Sequence, residues 1–175
     1  CITDAKSAIR WFKQNAAKLG VDPKRIIAGG GSAGGHIALL ATTNPGLNDP
    51  NDSKEYDTSV VAYLLFNPAL KPKKDMEVTF ENHIKAAMPP MIAFWGTKDK
   101  WLTGWKSACE KMQSLENESI EWWTAQGQSH GFFKRRPWKD LTIIAADKFL
   151  KKHGLIEGEV TMPEPGNGVK LIKTL

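Results

Sequence analysis

Between Arg25 and Thr43 the chain reads RIIAGGGSAGGHIALLATT, an apolar stretch that runs into five glycines within seven residues and then into a helix-like stretch. A strand, a sharp turn and a helix in such short order leave few arrangements open, and two glycine devices fit. Read as Gly29-x-Gly31-x-x-Gly34, the segment matches the dinucleotide fingerprint, and Asp49 lies near the acidic position about 20 residues further on. Read as Gly30-x-Ser32-x-Gly34, it matches the strand–turn–helix that presents a nucleophilic serine.

The order of elements around this segment sets the fold class. Apolar residues recur at helical spacing from Asp4 to Leu19, with Thr3 or Asp4 as a start and Gly20 as a stop. Arg25–Ala28 is expected as a short strand and Ser32–Thr42 as a helix. Asn44–Ser59, dense in Asn, Asp, Pro and Gly, reads as a loop. Val60–Phe66 and Met91–Trp95 are near-continuous apolar runs, as expected of strands buried on both faces. Asn67–Met88 is irregular and could cover a site. Thr103–Asn117 is expected to be helical, Ile120–Thr124 a strand, and Trp138–His153 an amphipathic helix. The alternation predicts an α/β fold, a parallel sheet flanked by helices on both faces. Its ligand would sit at the carboxyl ends of the strands. Residues 1–153 are expected to form the domain, with 154–175, marked by Pro163, Pro165 and Gly166, as a C-terminal tail.

Those strand ends decide between the glycine devices. The dinucleotide reading needs its acid at the end of the next strand, but Asp49 sits inside NPGLNDPNDSKEYD, with no strand before it. The serine reading needs an acid and then a histidine, each just beyond a strand. MIAFWGTKDKWL places Asp99 after one strand, and IEWWTAQGQSHGFF places His130 after the next. A serine hydroxyl becomes a good nucleophile when an imidazole takes its proton. His130 would do this, Asp99 would orient the ring, and the Ala33 N–H at the helix start would face the developing oxyanion. Gly31, Trp101 and Phe132 adjoin these positions and are candidates to line a substrate.

Other polar groups read more plainly. His36 falls one turn into the helix after Ser32 and suits packing, His83 lies in the covering segment, and His153 ends a helix. Two cysteines, Cys1 and Cys109, make no disulfide framework, and no clustered metal-ligand pattern stands out. The net charge of +5 is mild, and the clusters Lys71–Lys74 and Lys134–Arg136 read as solvated surface rather than as nucleic-acid contacts. No apolar run reaches the roughly 20 residues of a membrane helix. The compartment is left open.

GVDPKRIIAGGGSAGGHIALLAT, FNPAL, PPMIAFWGTKD and GQSHGFF together closely resemble the α/β-hydrolase superfamily. The nearest likeness is to its esterase/lipase branch, the hormone-sensitive-lipase-like acetyl esterases and related carbohydrate esterases, over about Ile2 to His153. The resemblance implies a serine esterase acting on short acyl esters such as acetylated sugars, without a metal or organic cofactor, with Ser32 as nucleophile, Asp99 as acid and His130 as base. A peptidase or lactonase on the same fold, or a non-catalytic interaction module, is the alternative. Family members carry an upstream His-Gly-Gly type loop with further oxyanion N–H groups, and this chain contains no such motif. What is present resembles the last four strands, which points to a longer parent protein or to a homodimer through an exposed sheet edge.

Overall fold

A computed structural model describes residues 1–70, 78–117, 119–166 and 168–175. The helix α1 (Ile2–Gln14) and a single turn, α2 (Ala16–Leu19), precede β1 (Ile27–Gly31), α3 (Ala33–Thr43) and β2 (Ala62–Phe66). Then follow a 3-10 turn (Phe80–His83), β3 (Met91–Gly96), α4 (Leu102–Ser114), β4 (Ile120–Ala125), a 3-10 turn (Phe132–Lys134), α5 (Trp138–Lys152) and β5 (Ile172–Lys173). The strands lie in one sheet in sequence order, with β1 to β4 parallel and β5 antiparallel to β4.

The apolar runs form strands because both of their faces are covered. Met91, Ala93 and Trp95 point to one face, against Leu39 of α3 and Trp105, Ala108 and Met112 of α4. Ile92 and Phe94 point to the other, against Ala146 and Phe149 of α5. This two-residue alternation within an uninterrupted apolar stretch is the mark of a central parallel strand.

Differences from the expected elements have local causes. β1 starts two residues later than its side chains suggest and runs on through the glycines. Its ladder to β2, from Ile27 opposite Ala62 to Gly31 opposite Phe66, sets those bounds. The first helix breaks at Asn15, whose own side chain donates to Trp11 O at 2.8 Å. The 154–175 segment returns to the sheet: β5 pairs with β4, and Thr174 N–H donates to Trp122 O at 2.7 Å. The covering segment contributes its 3-10 turn, while residues 71–77, with the Lys71–Lys74 cluster, lie outside the described residues.

The loop from Asn44 to Ser59 is irregular, as expected, yet well anchored. Lys6, 2% exposed, donates to Asn44 O at 2.6 Å and Asn48 Oδ1 at 3.1 Å. Arg10 pairs with Asp52 at 2.7 Å, and Lys13 with Asp57. One polar stripe of α1 thus supplies the donors that this stretch of backbone lacks internally. Among the described residues, no helix is long and apolar enough to cross a membrane.

If α5 closes the second face as described, truncating its central ring should be costly. Phe149→Ala, at 2% exposure, is expected to remove about 3–5 kcal/mol of stability. A chemical-denaturation midpoint will read it, and a change within error would mean that this face is not a packed core.

Candidate active site

The parallel register brings the carboxyl ends of β1 and β2 level, because Gly31 stands opposite Phe66, while β3 runs on two residues past Phe94, the partner of Phe66, to Gly96. At that level the chain turns away at Ser32 after β1 and at Asn67 after β2, and the Gly96–Asp99 turn follows just beyond it after β3.

Ser32 holds φ 54° and ψ −121°, a conformation that is strained for any residue with a side chain. It is held from three sides. Its N–H donates to Phe66 O at 3.0 Å, and its carbonyl accepts from Ala69 N–H at 2.9 Å and His36 N–H at 3.3 Å. The helix it starts lies close against the strand, because Gly35 has no side chain. A Cβ there would stand 2.8 Å from Gly30 O and 2.9 Å from Pro68 Cβ.

Asp99 caps the turn after β3. Its Oδ1 accepts Trp101 N–H at 2.9 Å, while Oδ2 accepts from His130 Nδ1 at 2.8 Å. The carboxylate side chain is fully buried. His130 completes the line, with Nε2 2.7 Å from Ser32 Oγ. With Nδ1–H donating to Asp99, Nε2 is left to accept the serine proton. The two loops are joined directly as well: Lys98 N–H donates to Gln128 O at 2.9 Å and Gly127 N–H to Thr97 Oγ1 at 2.9 Å. Gly96 permits this join, since a Cβ there would lie 2.3 Å from Gln128 O.

The three residues expected from spacing are thus brought together, with His130 within hydrogen-bond reach of both Ser32 and Asp99. Ala33, the first residue of α3, directs its N–H along the helix start beside Ser32. Trp101 occupies the N-cap of α4 and packs partly onto the first core face. Gly31 ends β1 with the Phe133 ring directly over it; a Cβ would lie 2.6 Å from Phe133 Cζ. Phe132, the expected lining residue, is 6% exposed and turns into the second core, edge-on to Trp138 at 5.9 Å. Phe133 instead stands over Gly31, tilted against Phe66 at 5.2 Å.

Sequence reading passed over Asn67. It is fully buried, has φ 40°, and sets its Nδ2 2.9 Å from His130 Nδ1 and 3.2 Å from Nε2. Its signal was a polar residue at the end of an otherwise apolar strand, at the level where ligands bind. Among the described residues, no group of three His, Cys, Asp or Glu side chains is placed to hold a metal ion. Asp49 lies in the loop after α3, away from any strand end. Burial pushes the Cys109 thiol up to about 12, so it carries no thiolate at ordinary pH.

Known proteins resemble this chain in both sequence and shape. The BD-FAE family model matches residues 1–64. The probable carboxylic ester hydrolase LipM of Mycobacterium tuberculosis is 43% identical over 68 residues, 37% of this chain and 15% of LipM. Thermogutta terrifontis esterase 2, phosphoramylated by tabun, superposes with a TM-score of 0.84 at 36% identity, over 91% of this chain and 66% of its own. The same esterase with propionate bound gives 0.83 at 35% identity, over 91% and 67%. The chain therefore spans about two thirds of the esterase it resembles in structure, and its match takes in a much smaller share of LipM.

The site's surroundings carry a pH signature. Burial holds the His36 imidazole below its ordinary value of 6.5. Above 6.5 neither folded nor unfolded chain is protonated there; as pH falls through it, the unfolded chain binds the proton first and stability drops. The urea midpoint is expected to fall less between about pH 7.5 and about pH 5.5 in His36→Gln than in the parent chain. Equal slopes would show that His36 carries no such penalty.

Proposed function

Because the chain belongs to the α/β-hydrolase esterase/lipase family, we propose that it hydrolyses carboxylic esters with Ser32 as nucleophile. The observation that carries this reading is the unbroken line from Asp99 Oδ2 through His130 to Ser32 Oγ, at 2.8 and 2.7 Å. His130 Nε2 takes the hydroxyl proton as Oγ attacks the ester carbonyl. The tetrahedral oxyanion forms beside the Ala33 N–H at the start of α3, where the helix dipole also favours negative charge. His130 then gives its proton to the departing alcohol, leaving an acyl-serine. Water, deprotonated by the same imidazole, releases the acid and restores Ser32. Asp99 keeps the ring in the tautomer that both half-reactions need.

Short acyl groups suit the site best, acetylated sugars among the candidate substrates. The rings of Phe133 and Phe66 stand as a wall beside Gly31, one residue from the nucleophile, and limit the space there. Thermogutta terrifontis esterase 2, similar over 91% of this chain, has been solved with propionate and with butyrate bound, which supports the same range.

A fluorophosphonate probe should label Ser32, as located by peptide mass spectrometry, and Ser32→Ala should abolish the label. Label elsewhere, or none together with no turnover of p-nitrophenyl acetate, would sink the reading. Peptide and lactone substrates run alongside separate an esterase from the other activities that this fold hosts. Asp99→Asn is expected to lower kcat by about 10⁴ while leaving KM close to the parent value. Retention of kcat in that variant would mean that His130 does not depend on Asp99.

A further inference from the structure

We propose that Asn67 is a positioning residue for His130, its buried amide being the platform that holds the imidazole between Asp99 and Ser32. This rests on reading Ser32, His130 and Asp99 as the hydrolytic machinery.

The geometry is unusual for an ordinary hydrogen bond. Asn67 Nδ2 is nearly equidistant from the two ring nitrogens, at 2.9 and 3.2 Å. Each nitrogen has a single in-plane bonding direction, and these already serve Asp99 at 2.8 Å and Ser32 at 2.7 Å. An approach in the ring plane from between them would overlap the carbon that joins them. The amide therefore lies over the ring face, in an N–H to π contact.

The amide is itself fixed in orientation. Its Oδ1 accepts the Gly131 N–H at 3.3 Å, so an exchange of the two ends would bring the NH₂ group against another donor. Its backbone N–H donates to Phe94 O at 2.8 Å, which continues the β2–β3 ladder by one residue. The side chain is completely buried, and the backbone adopts φ 40°, a conformation that Asn tolerates better than other residues with a side chain. A buried amide in a costly backbone conformation, with one end on the residue after His130 and the other on its ring, restrains rotation of the imidazole about its own axis. A glycine would meet the backbone requirement more cheaply, so the amide is what the position retains.

The test uses Asn67→Gly, which relieves the backbone and removes the amide, and Asn67→Asp, which keeps the shape and the acceptor for Gly131. Asn67→Gly is expected to lower kcat roughly 10- to 100-fold at nearly constant KM, without lowering the thermal midpoint. Asn67→Asp sets a carboxylate on the ring face, favours the charged imidazole, and should move the acidic limb of the kcat/KM profile to higher pH. The low-field Nδ1–H proton of His130, followed by NMR, reads the same restraint without turnover and should be broadened by exchange in Asn67→Gly. Unchanged kcat, or an unchanged proton signal where the parent itself is inert, would overturn the role of Asn67. An unlabelled Ser32 in the parent chain would instead overturn the hydrolytic reading, so the two failures are distinguishable.

Discussion

The in-register parallel ladder of β1, β2 and β3 is the constraint on which the rest depends. Because Gly31, Phe66 and Phe94 stand level, the first residue beyond β1 and the first beyond β2 each meet the neighbouring strand across about one strand spacing. That single alignment lets Ser32 N–H reach Phe66 O, and lets Asn67 N–H reach Phe94 O. A slip of one residue between β1 and β2 would invert every side chain of the slipped strand relative to the two cores. It would also carry Ser32 away from His130. The cores on the two faces thus specify the geometry of a site that contains few of their residues.

Two positions at this level are strained, Ser32 at φ 54° and Asn67 at φ 40°. Conformations of this kind cost about 1–3 kcal/mol each and persist only where the surroundings determine them. At Ser32 that determination comes from three backbone hydrogen bonds to β2, the Asn67–Leu70 segment and α3. At Asn67 it comes from Phe94 on one side and Gly131 on the other. The strained residues brace each other, since Ala69, two residues after Asn67, donates to Ser32 O at 2.9 Å. Exposing the serine side chain is therefore a property of two strand ends together and not of the glycine cluster alone.

Much of this was legible in the sequence, and the parts that were not share a cause. Apolar runs of strand length, helical spacing in Ser32–Thr42 and Trp138–His153, and the order serine, acid, histidine are all local patterns. They led to the parallel sheet and to the residues that meet at its end. What was missed depends on pairing between distant segments. β1 extends through glycines of poor strand propensity because β2 offers the partners. Ile172–Lys173 becomes a strand only because the edge of β4 is open to it. Phe132 and Phe133 are indistinguishable as a dipeptide, and the 3-10 turn that carries them sends one ring to the core and the other over Gly31. Asn67 could not be weighed without knowing that β2 lies between the strands that carry Ser32 and lead to Asp99.

The site divides into two functions with different dependence on the chain around them. In the proposed mechanism, proton transfer draws on described residues: Ser32, His130, Asp99 and, by the further proposal, the Asn67 amide. In the same mechanism, charge stabilisation would be shared between one N–H at Ala33 and, by the family resemblance, others on a His-Gly-Gly type segment that has no counterpart in this sequence. Loss of one oxyanion donor typically costs 10²–10³ in rate, about 3–4 kcal/mol. The hydrogen-bonded line forms without that segment: the Asp99 side chain is fully buried, and the loop that carries His130 is tied to the Asp99 loop through Lys98 and Gln128. In the proposed mechanism, attack by Ser32 and stabilisation of what it produces therefore draw on different segments, the first of them on the hydrogen-bonded line from Asp99 through His130 to Ser32.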